Sequence, residues 1–273
     1  MTEDNKTTSG IAYSSLGVGT PIIFLHGLAL NKQSTYLLFD PLLKSSKYQR
    51  IYLDLPGMSQ SASTSSNTSD DVLEIIIQAI QEIIGNKQFI LYGHSYGGYL
   101  ALGIASRLKS KILGAFLTCP VVTAIDSDRQ RGEHINIFKE EVLPSKNKEY
   151  FTDFLNMNVV ISQRTWKSYQ ELIIPGLQTE NQLFVKNLKS HYALTFEESI
   201  KKTNYPFPIT IMVGRNDQVV GYEEQLQFIA HNSNGAIVLL NQTGHNLIID
   251  QREVVIFHLS MFLNALAIQI KNK

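Results

Sequence analysis

A turn between a strand-like segment and a helix-like segment places the strongest limit on how this chain can fold. The apolar residues 89–92 lead into Gly93-His94-Ser95-Tyr96-Gly97, and an Ala- and Leu-rich helical pattern follows. Glycines on both sides of Ser95 remove the side chains that would collide in a sharp turn, so the serine can adopt a strained, exposed conformation. The strand and helix around it distinguish this motif from a chance match, which makes Ser95 the first candidate nucleophile.

Two backbone N–H groups are candidates for stabilising a negatively charged oxygen near this serine. Tyr96 follows the serine at a helix N-terminus, where N–H groups point outward without helical acceptors. His26-Gly27-Leu28 directly follows the buried-strand pattern of residues 21–25. A glycine at that point allows a tight turn that leaves the N–H of Leu28 pointing inward. A plain strand-ending turn, in which the histidine makes only a local hydrogen bond, is the alternative interpretation.

Two further polar residues fall just beyond predicted strands. Asp217 follows the apolar run 209–213, and His245 follows the run 236–240 and a short turn. The carboxyl ends of parallel strands line one crevice of an open sheet, and ligands bind there. We therefore expect Ser95, Asp217 and His245 to come together, although they are far apart in sequence.

Other titratable side chains have simpler interpretations. Asp54 ends a strand and is expected to hold its turn through hydrogen bonds to the backbone, and Asp250 is expected to cap the last helix. His94 should point away from the reacting atoms, because adjacent residues diverge at such a turn. Cys119 ends an apolar run and is expected to be a small buried core residue. The other aspartates and histidines weighed as partners lie in the middle section, in helices or at a helix end: Asp126, Asp128, Asp153, His134, His191, His231 and His258.

Strands and helices alternate regularly along the chain except in its middle section, which predicts an α/β protein with a mostly parallel sheet flanked by helices. The section from Val121 to Pro208 contains charged and aromatic helix-like stretches and no convincing buried strand, so it is predicted to be a helical cap over the active-site edge. The predicted division is a core domain of residues 1–120 and 209–273 and a cap of residues 121–208. The helix-like stretches are 134–143, 149–158, 164–173, 179–188 and 195–201, and the Ser- and Thr-rich segment 58–69 is predicted to be an exposed loop.

Composition excludes several classes of protein. The chain has 273 residues, and its 24 basic and 24 acidic side chains give a formal net charge of zero. That balance argues against a nucleic-acid-binding surface or a polybasic membrane patch. A single cysteine excludes an internal disulfide and a cysteine-based metal site.

Neither end of the sequence predicts a membrane or export segment. The polar N-terminal residues lack the pattern of a secretory signal, so a cytoplasmic location is expected. Residues 254–270 are apolar but short for a membrane span, and polar side chains interrupt them at helical spacing, so they are expected to form an amphipathic core-packing helix. We expect a small-molecule substrate and no nucleic-acid or membrane partner, and the sequence leaves a homodimer open.

The combined motifs resemble those of the α/β-hydrolase fold superfamily. By position, the resemblance implies that Ser95 is the nucleophile, His245 the general base and acid, and Asp217 the carboxylate that orients the imidazole. It also implies backbone oxyanion donors at Leu28 and Tyr96 and requires no metal or cofactor. The sequence departs from many relatives at Met58-Ser59, in a loop away from these residues. The matching segments are His26-Gly27, Asp54-Leu55-Pro56-Gly57, Gly93 to Gly98, Gly214-Arg215-Asn216-Asp217 and Gly244-His245.

The resemblance implies a cofactor-independent serine hydrolase that cleaves a small ester, amide or thioester through an acyl-enzyme. Relatives of the fold also include carbon–carbon bond hydrolases, aminopeptidases, acyltransferases and lyases, and fold alone does not separate these. For an aminopeptidase, the acidic side chains that could hold a substrate amine are Glu140, Glu141, Glu149 and Asp153. A non-catalytic ligand-binding member of the fold is the alternative from another class, and the intact set of three polar residues argues against it.

Overall fold

The computed structural model describes residues 5–271, and regular secondary structure covers most of them. The strands are β1 (Asn5–Lys6), β2 (Ala12–Leu16), β3 (Thr20–Leu25), β4 (Tyr48–Leu53), β5 (Phe89–His94), β6 (Ile112–Thr118), β7 (Phe138–Lys139), β8 (Val160–Ile161), β9 (Ile209–Gly214) and β10 (Gly235–Leu240). The α-helices are α1 (Lys32–Leu43), α2 (Ser69–Ile84), α3 (Tyr96–Arg107), α4 (Phe151–Met157), α5 (Gln163–Leu172), α6 (Ile174–Leu177), α7 (Gln182–Ser190), α8 (Glu197–Lys202), α9 (Glu223–Ala230), α10 (Leu247–Asp250) and α11 (Arg252–Lys271).

Eight strands form one twisted sheet in the order β1-β2-β4-β3-β5-β6-β9-β10. β2 pairs antiparallel with β1 and β4, whereas the strands from β4 to β10 in this order pair in parallel. The central strand β5 is buried along its whole length, as expected for a parallel strand covered on both faces. The predicted α/β fold with a mostly parallel sheet is confirmed, and β3, β5, β9 and β10 all end at the same edge.

Aromatic side chains fill the core between the sheet and α1. The ring of Phe24 stacks on Tyr52 of the neighbouring strand at 4.5 Å between centroids, and Phe39 of α1 meets Tyr92 edge-on at 4.6 Å. Such offset and edge-on arrangements suit the ring quadrupoles and add to the free energy gained by burial. They anchor the sheet under the edge where the loops that follow β3, β5, β9 and β10 begin.

The last helix, α11, packs one face on the sheet and leaves an apolar face exposed. Phe262 contacts Phe116 of β6 at 5.7 Å between ring centroids, and Leu259 is fully buried. Phe257 and Met261, one turn apart, are more than half exposed. Helix α11 is therefore core-packing, as predicted, but its outer side is more apolar than expected. By length and composition alone this helix could cross a membrane, and 28% of its most apolar window is buried.

The segment of residues 121–208, between β6 and β9, contains short helices and is called the insertion below. Four of the five predicted helix-like stretches contain helices, namely α4, α5, α7 and α8. The prediction of a helix at 134–143 is wrong, because this stretch is largely exposed and irregular and contains β7, which pairs in parallel with β8. Pairing with a strand twenty-two residues later in the chain overrides the local apolar spacing here.

Hydrogen bonds fasten the insertion to several loops of the core. The Arg129 guanidinium donates to the carbonyl of Val219 at 3.2 Å, and the Asn246 amide donates to Asn158 at 2.9 Å. The N–H of residue 181 donates to the carbonyl of residue 57 at 2.9 Å, and the N–H of residue 195 donates to the Asp70 carboxylate at 3.1 Å. These points lie on the loops after β9, β10 and β4 and on the first turn of α2.

The Ser- and Thr-rich segment 58–69 is less exposed than predicted. Met58, Ser61 and Thr64 are buried, and the Ser61 hydroxyl donates to the carbonyl of Asp54 at 2.7 Å. Polar composition predicted solvent exposure, but short hydroxyl side chains can satisfy buried backbone groups instead. The helix that follows, α2, is capped by Thr68.

Candidate active site

A sharp turn between β5 and α3 carries Ser95 in a strained conformation. Its φ is +51° and its ψ is −116°, a region that non-glycine residues rarely occupy. A Cβ atom on Gly97 would overlap the backbone carbonyls of residues 25–26, and one on Gly93 would lie 2.5 Å from the Gly97 oxygen. Both glycines are therefore required by close backbone packing, as the sequence motif predicts. The Ser95 N–H donates to the carbonyl of Thr118 on β6 at 3.0 Å, which fixes the turn.

Three side chains from separate loops form a continuous hydrogen-bonded chain at this edge of the sheet. The Ser95 Oγ atom lies 2.9 Å from Nε2 of His245, and Nδ1 of His245 lies 2.9 Å from Oδ2 of Asp217. Because an ionised carboxylate only accepts hydrogen bonds, Nδ1 carries the imidazole proton and Nε2 is left to accept the serine hydroxyl. The structure thus brings together the three residues that the strand ends predicted.

The carboxylate of Asp217 is fully buried but well satisfied. Its second oxygen, Oδ1, accepts the N–H groups of Val219 at 2.8 Å and Val220 at 2.9 Å. Burial opposes the charge on Asp217, but His245 and these two N–H groups outweigh it, and the pKa of the carboxyl is lowered. Asp217 therefore keeps its negative charge next to the imidazole.

The two residues predicted to supply oxyanion N–H groups, Tyr96 and Leu28, both lie near the serine. Tyr96 is the first residue of α3, so its N–H has no acceptor within the helix. Gly27 packs so closely on the elbow that a Cβ atom there would lie 3.4 Å from Cβ of Ser95. Leu28, next along the chain, lines the same cavity as the serine. The turn after β3 therefore brings the Gly27–Leu28 peptide against Ser95.

His26 holds this turn in place. Its Nδ1–H donates to the carbonyl of Gly27 at 2.7 Å, and its Nε2 accepts the N–H of Leu55 at 3.0 Å. Burial lowers the pKa of the imidazole, although Asp54 nearby partly offsets it, so the ring stays neutral and both bonds are kept. The bond from His26 to Gly27 is local, and it holds the same peptide unit that carries the Leu28 N–H.

His94 lies beside the candidate site, and the prediction that it points away is wrong. Its ring centroid is 5.3 Å from that of His245, and the residue lines the cavity next to the serine. Nδ1–H of His94 is shared by the carbonyl and hydroxyl oxygens of Thr118, each at 3.1 Å. Burial and the nearby His245 lower the pKa of His94 to about 3, so this ring stays uncharged. The positive φ of Ser95 rotates the elbow, which the alternation rule for a regular strand does not take into account.

Two buried aspartates have structural partners. Asp54 accepts the N–H of Lys32 and forms an ion pair with its Nζ atom, both at 2.8 Å, so its carboxylate binds a backbone N–H at the start of α1 rather than in its own turn, as was predicted. Asp250 does not cap α11, which begins two residues later. It ends α10 instead and accepts the N–H of Gly244 at 2.9 Å.

The Asp250 contact was missed from the sequence because its amide partner, Asn158, is 92 residues away in the insertion. No local spacing pattern signals such a contact.

A cavity of about 1020 Å³ opens beside Ser95, between the sheet edge and the insertion. Charged side chains lie farther along its wall, among them Asp153, which accepts a hydrogen bond from the hydroxyl of Tyr169. A cavity of this size can enclose a ligand the size of a typical drug molecule. Its apolar lining includes Leu28, Leu30, Val121, Met157, Ile173 and Leu177.

One set of side chains at the site has the residue types of a metal centre. The ligand atoms of Cys119, Asp217 and His245 lie within 4.8 Å of one another. Cys119 is fully buried, as predicted, and burial raises the pKa of its thiol well above the usual value, which opposes the thiolate that binds metals. Because Asp217 and His245 already hydrogen-bond each other, the geometry favours proton transfer along the chain to Ser95 over metal binding.

Comparisons with known proteins agree with this architecture. A model of the alpha/beta hydrolase fold family matches residues 20–251. The crystal structure of an alpha/beta superfamily hydrolase from Oenococcus oeni PSU-1 is 62% identical in sequence, with a TM-score of 0.95, and the match covers 97% of this chain and 99% of that one.

Two more distantly related proteins are also similar to this chain. The uncharacterized hydrolase YugF of Bacillus subtilis (strain 168) is 27% identical over 252 residues, which is 89% of each chain. The esterase RhEst1 from Rhodococcus sp. ECU1013 is similar in fold, with a TM-score of 0.75 at 19% identity over 97% of this chain and 98% of that one. The chain therefore belongs to the alpha/beta hydrolase fold family and is a hydrolase of that fold.

Proposed function

We propose that this hydrolase is a cofactor-independent serine hydrolase that cleaves a small-molecule ester, amide or thioester through an acyl-enzyme. One observation carries the proposal: the 2.9 Å contact between Ser95 Oγ and His245 Nε2, continued by the 2.9 Å contact between His245 Nδ1 and Asp217 Oδ2. A serine hydroxyl is a weak nucleophile until a positioned base removes its proton. The hydrogen-bonded chain from Ser95 through His245 to Asp217 supports the proposal, because it offers such a base and a carboxylate to orient it.

In the proposed acylation step, Ser95 Oγ attacks the carbonyl carbon of the substrate and His245 Nε2 takes the hydroxyl proton. The imidazolium formed is stabilised by the buried Asp217 carboxylate, which also keeps Nδ1 protonated. When the tetrahedral intermediate collapses, Nε2 returns the proton to the leaving alcohol, amine or thiol, and the acyl group stays on Ser95.

In the proposed deacylation step, a water molecule takes the place of the leaving group. His245 Nε2 removes a proton from the water as its oxygen attacks the acyl carbon, and the same proton then moves to Ser95 Oγ as the ester bond breaks. The products are a carboxylic acid and the free enzyme.

We assign stabilisation of both tetrahedral intermediates to the N–H groups of Leu28 and Tyr96. Support comes from the closeness of the Gly27 backbone to Ser95 and from the position of Tyr96 at the start of α3. Removing one oxyanion donor from a serine hydrolase costs about 100- to 1,000-fold in turnover.

An apolar acyl or alcohol group is the substrate portion that the cavity wall favours. Leu28, Val121 and Met157 line the cavity that contains Ser95. Burial of apolar surface against such a wall stabilises the complex by about 25 cal/mol for each Å² buried. Ester cleavage is the first reaction to test, since the fold relative RhEst1 is named an esterase.

Release of an N-terminal residue from a peptide is a second candidate function, supported by the placement of one carboxylate. Of the four acidic side chains considered for binding a substrate amine, Asp153 lines the cavity. The other three, Glu140, Glu141 and Glu149, do not line it. This function predicts that Asp153→Asn reduces cleavage of aminoacyl p-nitroanilides far more than cleavage of neutral p-nitrophenyl esters.

The first test is burst kinetics with p-nitrophenyl esters of increasing acyl length, combined with a fluorophosphonate probe that labels activated serines. We expect a burst equal to the enzyme concentration and one labelled serine for each chain. Both the burst and the labelling should disappear in Ser95→Ala, because this variant lacks the activated hydroxyl to which the acyl group or the probe would bond.

Ser106→Ala is the matched control, since Ser106 lies near the other end of α3 and should leave both signals unchanged. Labelling that persists in Ser95→Ala would disprove Ser95 as the nucleophile. Labelling of Ser95 without turnover of any ester would instead point to peptide, thioester or carbon–carbon bonds.

A further inference from the structure

A buried polar cluster lies on the side of the His245 loop that faces the insertion. It consists of Asp250 at the end of α10, Asn246 beside the histidine, and Asn158 at the end of α4. The three residues are 3%, 4% and 0% exposed. Polar groups this deeply buried are costly unless they are bonded, so their partners define what the cluster does.

The Asp250 carboxylate holds the residue before the histidine. Its Oδ2 atom accepts the N–H of Gly244 at 2.9 Å. Gly244 also packs closely on β9, because a Cβ atom on Gly214 would lie 2.6 Å from its carbonyl oxygen. The peptide that leads into His245 is thus held between Asp250 and the start of the loop that carries Asp217.

Asn158 holds the residue after the histidine. Its Oδ1 atom accepts the side-chain N–H of Asn246 at 2.9 Å, and its Nδ2 atom approaches Asp250 Oδ1 at 3.5 Å. The carbonyl of Asn158 in turn accepts the side-chain N–H of Asn136 at 2.9 Å. A residue of the insertion is therefore fixed within the cluster, which connects the insertion to the His245 loop.

We propose that Asp250 and Asn158 are positioning residues for His245, which they hold in line with Ser95 by fixing Gly244 before it and Asn246 after it. The inference rests on the proposed serine hydrolase function. The chemical reason is that Nε2 of His245 must stay within hydrogen-bonding distance of a serine that is itself held rigidly, so a small displacement of the loop separates base from nucleophile.

Unlike an ordinary stabilising contact, the cluster carries a free-energy cost for burying a carboxylate. Burial raises the pKa of Asp250 to about 7, with the Gly244 and Val160 N–H groups, Asn158 and Arg164 offsetting only part of the effect. An apolar side chain in this place would avoid that penalty. Because the cluster fixes the residues on both sides of His245 and ties them to the insertion, positioning of this loop is what it provides.

The test measures two rates in folded variants: kcat on the best p-nitrophenyl ester, and the rate constant for labelling of Ser95 by the fluorophosphonate probe. We expect Asp250→Ala to lower both in parallel by about 10- to 100-fold with KM nearly unchanged. Asp250→Asn keeps an oxygen that can accept the Gly244 N–H, so it should recover most of the loss. A purely structural role would lower the melting temperature without this rescue of kcat.

Asn158→Ala disrupts the same cluster on the insertion side and leaves in place the Asp250 carboxylate that accepts the Gly244 N–H. We expect a smaller fall in kcat and labelling rate than in Asp250→Ala. The double variant should lose less kcat than the product of the two single losses, because the effects of substitutions within one cluster are not additive. If Asp250→Ala does not fold, Asn158→Ala decides the question. Wild-type kcat in Asn158→Ala would overturn the proposal.

Asp40→Ala is the matched control. Asp40 is a buried carboxylate of α1 that accepts a hydrogen bond from Arg50 Nε at 2.7 Å, and Arg50 lies in the first half of β4, away from the strand ends that carry the site. This variant should lose stability and keep its kcat and labelling rate. Absence of labelling in the wild-type protein would contradict the proposed function itself. Normal wild-type labelling with unchanged rates in both cluster variants would contradict only the positioning role.

Discussion

The Nδ1–H of His26 donates to the carbonyl oxygen of Gly27 at 2.7 Å, and this carbonyl belongs to the same peptide unit as the N–H of Leu28. In a planar trans peptide the C=O and N–H point in opposite directions. By holding the carbonyl, His26 fixes the direction of the N–H that we assign to the oxyanion site.

Replacing His26 should therefore affect turnover more than substrate binding. We expect His26→Ala to lower kcat by about 100-fold, near the low end of the loss of an oxyanion donor, with little change in KM. Steady-state kinetics on a p-nitrophenyl ester measure this. His231→Ala, at the exposed end of α9, serves as the control. An equal rise in KM with unchanged kcat would show that His26 acts on substrate binding instead.

Gly97 should not tolerate even one additional methyl group. A Cβ atom there would overlap the carbonyl oxygens of residues 25–26, which cannot move without disturbing β3. We expect Gly97→Ala to cost at least about 1–3 kcal/mol of unfolding free energy. Thermal melting measures the loss. Gly132→Ala is the control because its Cβ would meet no atom within 4 Å, and equal melting temperatures in the two variants would contradict the prediction.

The raised pKa of Asp250 predicts a stability that falls as pH rises. The folded carboxyl titrates at about 7, whereas an unfolded aspartate loses its proton near 3.8, so between these values the folded state holds an extra proton. The wild-type protein should lose roughly 2 kcal/mol relative to Asp250→Asn between pH 5 and pH 8. Arg164 of α5 and the buried Cys119 thiol also interact electrostatically with Asp250, and Asp250→Asn leaves both in place.

Chemical denaturation at a series of pH values measures this difference. Asp217 acts in the opposite direction, because its lowered pKa contributes stability that is lost only as the pH falls below about 4. The two carboxyls therefore titrate in separate pH ranges. A free-energy difference between wild type and Asp250→Asn that stays constant from pH 5 to pH 8 would show that Asp250 titrates normally.

Bulk added to the insertion side of the cavity should shorten the acyl chain that the enzyme prefers. Leu177 lines the cavity and is only partly buried, so Leu177→Trp can fit without breaking the core. We expect the optimum on the ester panel to move to shorter chains, with at least about a 10-fold loss of kcat/KM for the longest ester accepted by the wild type. Leu183→Trp, at an exposed position of α7, should leave the profile unchanged. The same profile in both variants would exclude Leu177 from the acyl-binding wall.

The sheet and the loops that carry the candidate site were predictable because local signals agree there. The run at 89–92 is continuously apolar up to the turn, and the glycines around Ser95 are required by backbone contacts that the motif itself implies. Ser95, Asp217 and His245 could be placed together from the rule that parallel strand ends share one crevice.

What could not be predicted depends on contacts between distant segments or on rotation at a strained residue. The stretch at 134–143 forms β7 rather than a helix because it pairs with β8. His94 turns toward His245 because Ser95 has a positive φ. The exposed apolar face of α11 was also missed, since periodicity locates the packed face of a helix but not what lies outside it.

The hydrogen bonds that fasten the insertion to the core have a consequence for how substrate reaches Ser95. They lie on the loops after β4, β9 and β10 and on the first turn of α2, so swinging the insertion outward as a rigid flap would break hydrogen bonds on several sides at once. We therefore expect substrate to enter the cavity without a large movement of the insertion. The rate of entry should then depend on the width of the substrate and little on any slow opening of the protein.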